Sequence, residues 1–132
     1  MIIGLDHVAI AVTNLSEAIK MYEKFFGFKA EVMPVKPGQL IKNAWLELGN
    51  ARIELIEPID PNGRVGKFIA SKGEGIEHIA FRVDNVEEDL KALKEKGMPT
   101  VDDKPRPSTS GTKAAFLQAR GARGVSIQLV EH

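Results

Sequence analysis

The chain has 132 residues, 43% of them hydrophobic, with 18 Lys plus Arg against 18 Asp plus Glu. That is enough apolar material for one ordinary domain, and the zero net charge argues against a protein that coats nucleic acid or an anionic membrane. There is no cysteine, which excludes a disulfide framework, a thiolate nucleophile, iron–sulfur ligation and a cysteine-built zinc site. Any metal must rest on His, carboxylate or amide ligands. The opening Met1-Ile2-Ile3-Gly4 has no basic stretch, and no apolar run approaches the roughly 18 residues of a membrane span. A cytoplasmic protein is expected.

In chain order, His7–Val12 alternates as a strand. Asn14 then serves as an N-cap with Glu17 three positions on, and Leu15, Ala18, Ile19, Tyr22 and Phe26 recur at helical spacing until Gly27. Strand candidates follow at Phe28–Met33, Asn43–Leu48 and Ala51–Glu57, the last two joined across Gly49-Asn50 as a tight hairpin. Pro58-Ile59-Asp60-Pro61-Asn62-Gly63 marks a crossing, with a short helix over Arg64–Ser71 and a Gly73-Glu74-Gly75 breaker.

The rest repeats the first part. Asp6-His7-Val8-Ala9-Ile10-Ala11-Val12 aligns without a gap on Glu77-His78-Ile79-Ala80-Phe81-Arg82-Val83, and Asn14 with Glu17 on Asn85 with Glu88, an offset of 71 from His7 to His78. The second helix carries Val86, Leu90 and Leu93 and stops at Gly97, and Arg52–Glu57 matches Ser126–Glu131. Each half therefore reads βαβββ, with modules at about 1–58 and 74–132 packed as one α+β domain.

Side chains two apart on a strand share a face. With Val8, Ile10 and Val12 turned to the helix, His7, Ala9 and Ala11 take the other side; His78, Ala80 and Arg82 do the same in the second half. Glu54 and Gln128, on the closing strands, join the histidines' face. The small alanines leave room for something to lie there. One His or Glu on a wetted sheet face is ordinarily a solvated residue. Two of three histidines at equivalent repeat positions, with Glu and Gln on the same side, read instead as ligands for a borderline divalent ion such as Co, Ni, Zn or Mn. His132 reads as a frayed end. Glu47 reads as a solvated hairpin charge, and the second helix's Glu87–Lys96 face as solvated mixed charge with no partner assigned.

These residues resemble the vicinal oxygen chelate superfamily, which contains glyoxalase I, extradiol dioxygenases and fosfomycin-resistance enzymes. The likeness covers essentially the whole chain. It implies a glyoxalase-like fold in which paired βαβββ modules form a curled mixed or antiparallel sheet around a metal-binding cleft. Within it, Leu48-Gly49-Asn50 followed by Ile53-Glu54-Leu55-Ile56-Glu57-Pro58 is most similar to the methylmalonyl-CoA epimerases. The resemblance implies His7, Glu54, His78 and Gln128 as metal ligands, an acyl-CoA substrate and a homodimer. The chain departs from the epimerase pattern in three places. Gln128 and Asn43 stand where acid/base glutamates are expected, and Gln118 replaces a histidine. Glu54 is left as the proton carrier, and Asn43, Arg106 and Lys113 are candidates for holding substrate, the last two for a carboxylate or CoA phosphates. A single carboxylate also suits glyoxalase-type isomerisation, as in a lactoylglutathione lyase, and the superfamily's ligand-sequestering proteins supply a non-catalytic alternative.

Overall fold

The computed structural model describes all residues, Met1–His132. Two compact units divide it, His7–Glu77 on one hand and Met1–Asp6 with His78–His132 on the other, so the boundaries fall inside the strands Ile2–Ala11 and Gly75–Val83. Each unit carries one of the expected βαβββ series.

In the first, β1 (Ile2–Ala11) leads to α1 (Leu15–Phe26), then β2 (Ala30–Val32), β3 (Ile41–Glu47) and β4 (Arg52–Pro58), with spatial order β2-β3-β4-β1. β1 runs parallel to β4, and β3 antiparallel to both β2 and β4. The cap of α1 is the expected one: Asn14 is extended and its Oδ1 accepts from Glu17 N at 3.0 Å. Only half of the box forms, because the Glu17 carboxylate lies 3.6 Å from Lys20 Nζ. Two distant acids complete this helix start. Glu57 Oε1 accepts from Leu15 N at 2.8 Å, and Glu74 Oε2 accepts from Thr13 N and Oγ1. Both place negative charge at the positive end of the helix. The helix ends at Gly27, whose φ of 73° lies in the left-handed region.

Alternation sorts this unit's core as the sequence implies. Val12, Leu15, Ala44, Leu46 and Leu55 are buried together with Ile10, Ile19 and Tyr22 on the α1 side. The opposite face differs from expectation in one respect. Ala9 and Ala11 do not leave open space, because α2 (Arg64–Lys72) packs Val65, Phe68 and Ile69 against them and Ile56. The alanines are small because a helix lies on them.

That seating depends on Gly66. A Cβ there would meet Pro61 O at 2.6 Å and Asp60 O at 2.7 Å, both backbone atoms that cannot rotate aside. Gly66→Ala is expected to lower unfolding stability by about 1–3 kcal/mol through forced displacement of α2. A denaturation midpoint equal to that of the unaltered protein would show that the helix entry yields freely.

In the second unit, β5 (Gly75–Val83) leads to α3 (Val86–Glu95), β6 (Arg106–Pro107), β7 (Lys113–Leu117) and β8 (Ile127–Glu131), in spatial order β5-β8-β7-β6. β5 runs parallel to β8, and β7 antiparallel to β6 and β8. Asn85 Oδ1 accepts from Glu88 N at 3.0 Å, repeating the α1 cap, and Lys96 closes the helix one residue before Gly97. Val83, Val86, Leu90, Ala115, Leu117 and Leu129 form the core beneath α3, while Ala80, Ala114 and Val130 pack together on the other face.

His132 is not frayed. Its Nε2 lies 2.8 Å from Oδ1 of Asp6, a carboxylate with no exposed surface, and Arg82 Nη2 approaches the same oxygen at 3.5 Å. A buried carboxylate requires such partners, and the terminal imidazole supplies one that chain position alone would not announce. No helix of the structure is long and apolar enough to cross a membrane.

Candidate metal and substrate site

In the unit His7–Glu77, strand register brings the polar residues of one face into rows. Ala9 is the partner of Glu54 across β1–β4, and Glu54 of Trp45 across β3–β4. In the next row Arg52 pairs with His7 on one side and Glu47 on the other. Paired residues project to the same side of a sheet, so His7, Arg52, Glu54, Trp45 and Asn43 share it. His7 Nε2 stands 3.6 Å from Glu54 Oε1. The other oxygen, Oε2, accepts a hydrogen bond of 3.0 Å from Asn43 Nδ2. His7 is 4% exposed, Glu54 3% and Asn43 2%. At that depth an anionic side chain must be matched by donors or cations, and here an amide and an imidazole face its two oxygens.

The histidine ring is itself held. It meets Trp45 edge-on, with centroids 5.0 Å apart and planes at 83°, and the Arg52 guanidinium carbon lies 3.9 Å from the Trp45 ring centre. Glu47, by contrast, is exposed, and its Oε1 accepts from Gly49 N in its own turn, which agrees with a hairpin charge.

The unit containing His78 repeats the pattern with different chemistry. Ala80 is the partner of Gln128 across β5–β8, and Gln128 of Phe116 across β7–β8. His78 meets Phe116 edge-on at 5.1 Å and 90°. Both His78 and Gln128 are buried. Thus each half presents a buried imidazole pinned by an aromatic ring and, on its closing strand, a buried side-chain oxygen, from a carboxylate in one half and an amide in the other.

Trp45 and Phe116 were not singled out from the sequence, although a signal for them existed: they are separated by the same 71 positions as His7 and His78. The acids preceding the histidines are the other omission. Asp6 is held by Arg82 and His132, and Glu77, also buried, pairs with Arg64. Alternation turns each acid away from its neighbouring imidazole.

The remaining candidates lie elsewhere in the second unit. Arg106 is exposed, with Nε 3.0 Å from Asp102 Oδ1, and the second oxygen of Asp102 accepts from Phe116 N at 2.7 Å. Arg106 is therefore tied through one carboxylate to the backbone of the strand that carries Phe116. Lys113 is exposed at the start of β7, opposite Pro107. The segment between them closes on itself, with Ser108 N donating to Thr112 O at 2.7 Å and the two hydroxyls 3.0 Å apart. Gln118 ties the end of β7 to the segment before β6, its Nε2 donating to Thr100 O at 3.0 Å, and its Oε1 accepts from Arg120 Nε at 2.8 Å.

The family model for the glyoxalase/bleomycin resistance protein/dioxygenase superfamily matches residues 6–116. The uncharacterised protein YqjC of Bacillus subtilis is 34% identical over 127 residues, covering 96% of this chain and 91% of that protein. The mitochondrial methylmalonyl-CoA epimerase of Mus musculus is 29% identical, over 95% of this chain and 71% of its own length. Among solved structures, a variant of the Streptomyces coelicolor methylmalonyl-CoA epimerase in complex with 2-nitronate-propionyl-CoA superposes with a TM-score of 0.92 at 30% identity, covering 99% of this chain and 98% of that one. The repeated βαβββ halves, the family-model match and the superposition over nearly the whole length agree: the chain belongs to the glyoxalase/bleomycin resistance protein/dioxygenase superfamily.

Proposed function

We propose that this chain is a metal-dependent isomerase that removes and returns the proton beside the carbonyl of an acyl-CoA thioester, interconverting (R)- and (S)-methylmalonyl-CoA, and that it works as a homodimer. His7, Glu54, His78 and Gln128 hold one divalent ion in this reading. The observation that carries it is the state of Glu54, a buried carboxylate with one oxygen toward His7 Nε2 and the other held by Asn43. The similar proteins named methylmalonyl-CoA epimerases supply the reaction and substrate.

The donor set fits the group. His7, Glu54 and His78 are buried donors of the kinds that bind a metal, and two imidazoles with a carboxylate and an amide oxygen suit cobalt, nickel, zinc or manganese better than calcium. Such an ion supplies Lewis-acid stabilisation of the negative charge that develops on the thioester oxygen, worth several kcal/mol. The protein's own residues do the rest. Trp45 and Phe116 fix the planes of the two imidazoles. Asn43 keeps the Glu54 carboxylate from rotating, so that Oε2 is presented in one direction to take the C2 proton. In the first half α2 covers the neighbouring part of the same sheet face, at Ala9, Ala11 and Ile56.

One specific observation supports a second reading. Asn43 and Gln128 are amides and cannot titrate, which leaves Glu54 as the one carboxylate of the proposed set, beside His7. A single base returns a proton most readily to the side it came from, as in glyoxalase-type transfer between adjacent carbons. Deuterium wash-in at C2 of methylmalonyl-CoA, measured on protein reloaded with cobalt, separates the two. Label entering both epimers supports the epimerase. No exchange with a full equivalent of metal removes it, and turnover of a glutathione hemithioacetal under the same conditions installs the alternative. Failure to retain any of the four metals would favour a ligand-sequestering protein.

A further inference from the structure

The two halves hold their ring–imidazole pairs by different means. The 71 positions that separate His7 from His78 also separate Trp45 from Phe116 and Glu31 from Asp102. In the first half Glu31 is exposed, and its strand β2 pairs with β3 in register at Trp45. In the second, β6 reaches only Lys113 and Ala114, and residues 101 and 102 meet the outer edge of β7 at Phe116. Val101 N and Asp102 N donate to Phe116 O at 2.9 and 3.3 Å, and Asp102 Oδ2 accepts from Phe116 N at 2.7 Å. A carboxylate thus stands where a strand carbonyl would. It is 10% exposed, and its other oxygen faces Arg106 Nε at 3.0 Å.

We propose that Asp102 is a positioning residue, which fixes β7 at Phe116 and through that ring sets the plane of His78. The inference rests on the metal reading for its effect on ion affinity, but not for its effect on the imidazole. A side chain's direction follows the backbone of its strand, and an edge-on contact such as the 5.1 Å, 90° pair of Phe116 and His78 is lost when either ring turns. A hydrogen bond from an amide to a carboxylate is shorter and stronger than one to a carbonyl, so this edge of β7 is held firmly without a neighbouring strand. The clamp is itself anchored. Lys94 of α3 donates to Asp103 O at 2.9 Å, and Arg106 supplies the counter-charge that a nearly buried carboxylate requires. Groups that orient a metal ligand without touching the ion ordinarily change its affinity by about 10–100-fold. Glu31, exposed on a strand that already pairs with β3, is not needed for such a task.

The three histidines give three imidazole Cε1–H signals by proton NMR, assigned with His7→Ala and His78→Ala. In chelated protein Asp102→Ala should move the His78 signal and leave that of His7 in place. In protein titrated with cobalt the same variant should weaken binding by about tenfold or more. Asp102→Asn, whose amide oxygen still accepts from Phe116 N, should keep both readouts near those of the unaltered protein. If Asp102→Ala does not fold, Asp102→Ser, whose side chain is one bond shorter than that of Asp, carries the same expectation. A merely structural role would lower the melting temperature with both histidine signals unmoved or moved together, and either result overturns the proposal, as does D102N matching D102A. A shift confined to His78, in a protein whose unaltered form binds none of the four metals, overturns the metal reading and keeps this one. Full metal binding, with the His78 signal and cobalt affinity unchanged in D102A, overturns this one alone.

Discussion

Glu54→Gln is expected to reduce proton exchange at C2 of methylmalonyl-CoA by roughly 10²–10⁴-fold, the usual worth of a positioned general base. The substitution is nearly isosteric. The new amide oxygen can still accept from Asn43 Nδ2, whose bond to Glu54 is 3.0 Å in a buried setting, so packing and orientation should survive. Basicity and charge do not survive. Metal affinity should weaken as well, because an amide oxygen replaces the carboxylate in the donor set; the assay therefore needs saturating cobalt, with content checked by elemental analysis. Exchange at the original rate in fully loaded Glu54→Gln protein would remove this residue from the reaction and transfer the search for a base to another part of the chain.

Stripping divalent ions should have the largest effect on stability. An ion present at about a thousand times its dissociation constant contributes about 4 kcal/mol to the native state. For a chain of this size that corresponds to a fall in melting temperature on the order of ten degrees or more. The physical reason is local. Glu54 is 3% exposed and His7 4% exposed, and removing the cation takes a compensating charge away from a carboxylate held deep in the protein beside the Asn43 amide and the His7 ring. Calorimetry before and after chelation, followed by cobalt return, measures this. His7→Ala and His78→Ala should each lose bound metal to a similar extent, since the proposed ion needs an imidazole from both halves. Retention of a full equivalent by either variant would assign the ion to one half alone.

The fold was legible from the chain because both of its main signals are local. Two-residue alternation placed His7, Glu54, His78 and Gln128 opposite the helix-facing residues, and the buried residues beneath α1 and α3 agree with that assignment. Asn14 and Asn85 announced their helices because a cap acts across three residues, and both bonds formed. The repeat also made the second half predictable from the first, down to the aromatic on the strand beside each closing strand, had Trp45 and Phe116 been compared at the same offset.

Other features came from pairings that no local spacing encodes. Asn43 reaches Glu54 because the turn at 48–51 sets Trp45 opposite Glu54; a slip of one residue would turn the amide to the helix side. Ala9 and Ala11 looked like open floor until α2, more than fifty residues along the chain, folded back onto them. Asp6 is buried with His132, from the opposite end of the sequence. The sequence by itself determined the duplicated architecture and the four polar positions on the wrong face, because alternation and repetition are properties of short stretches. Tertiary structure alone decided which oxygen of Glu54 is held, which rings pin the imidazoles and which cation lies beside them, because those depend on register and on segments distant in the chain meeting in space.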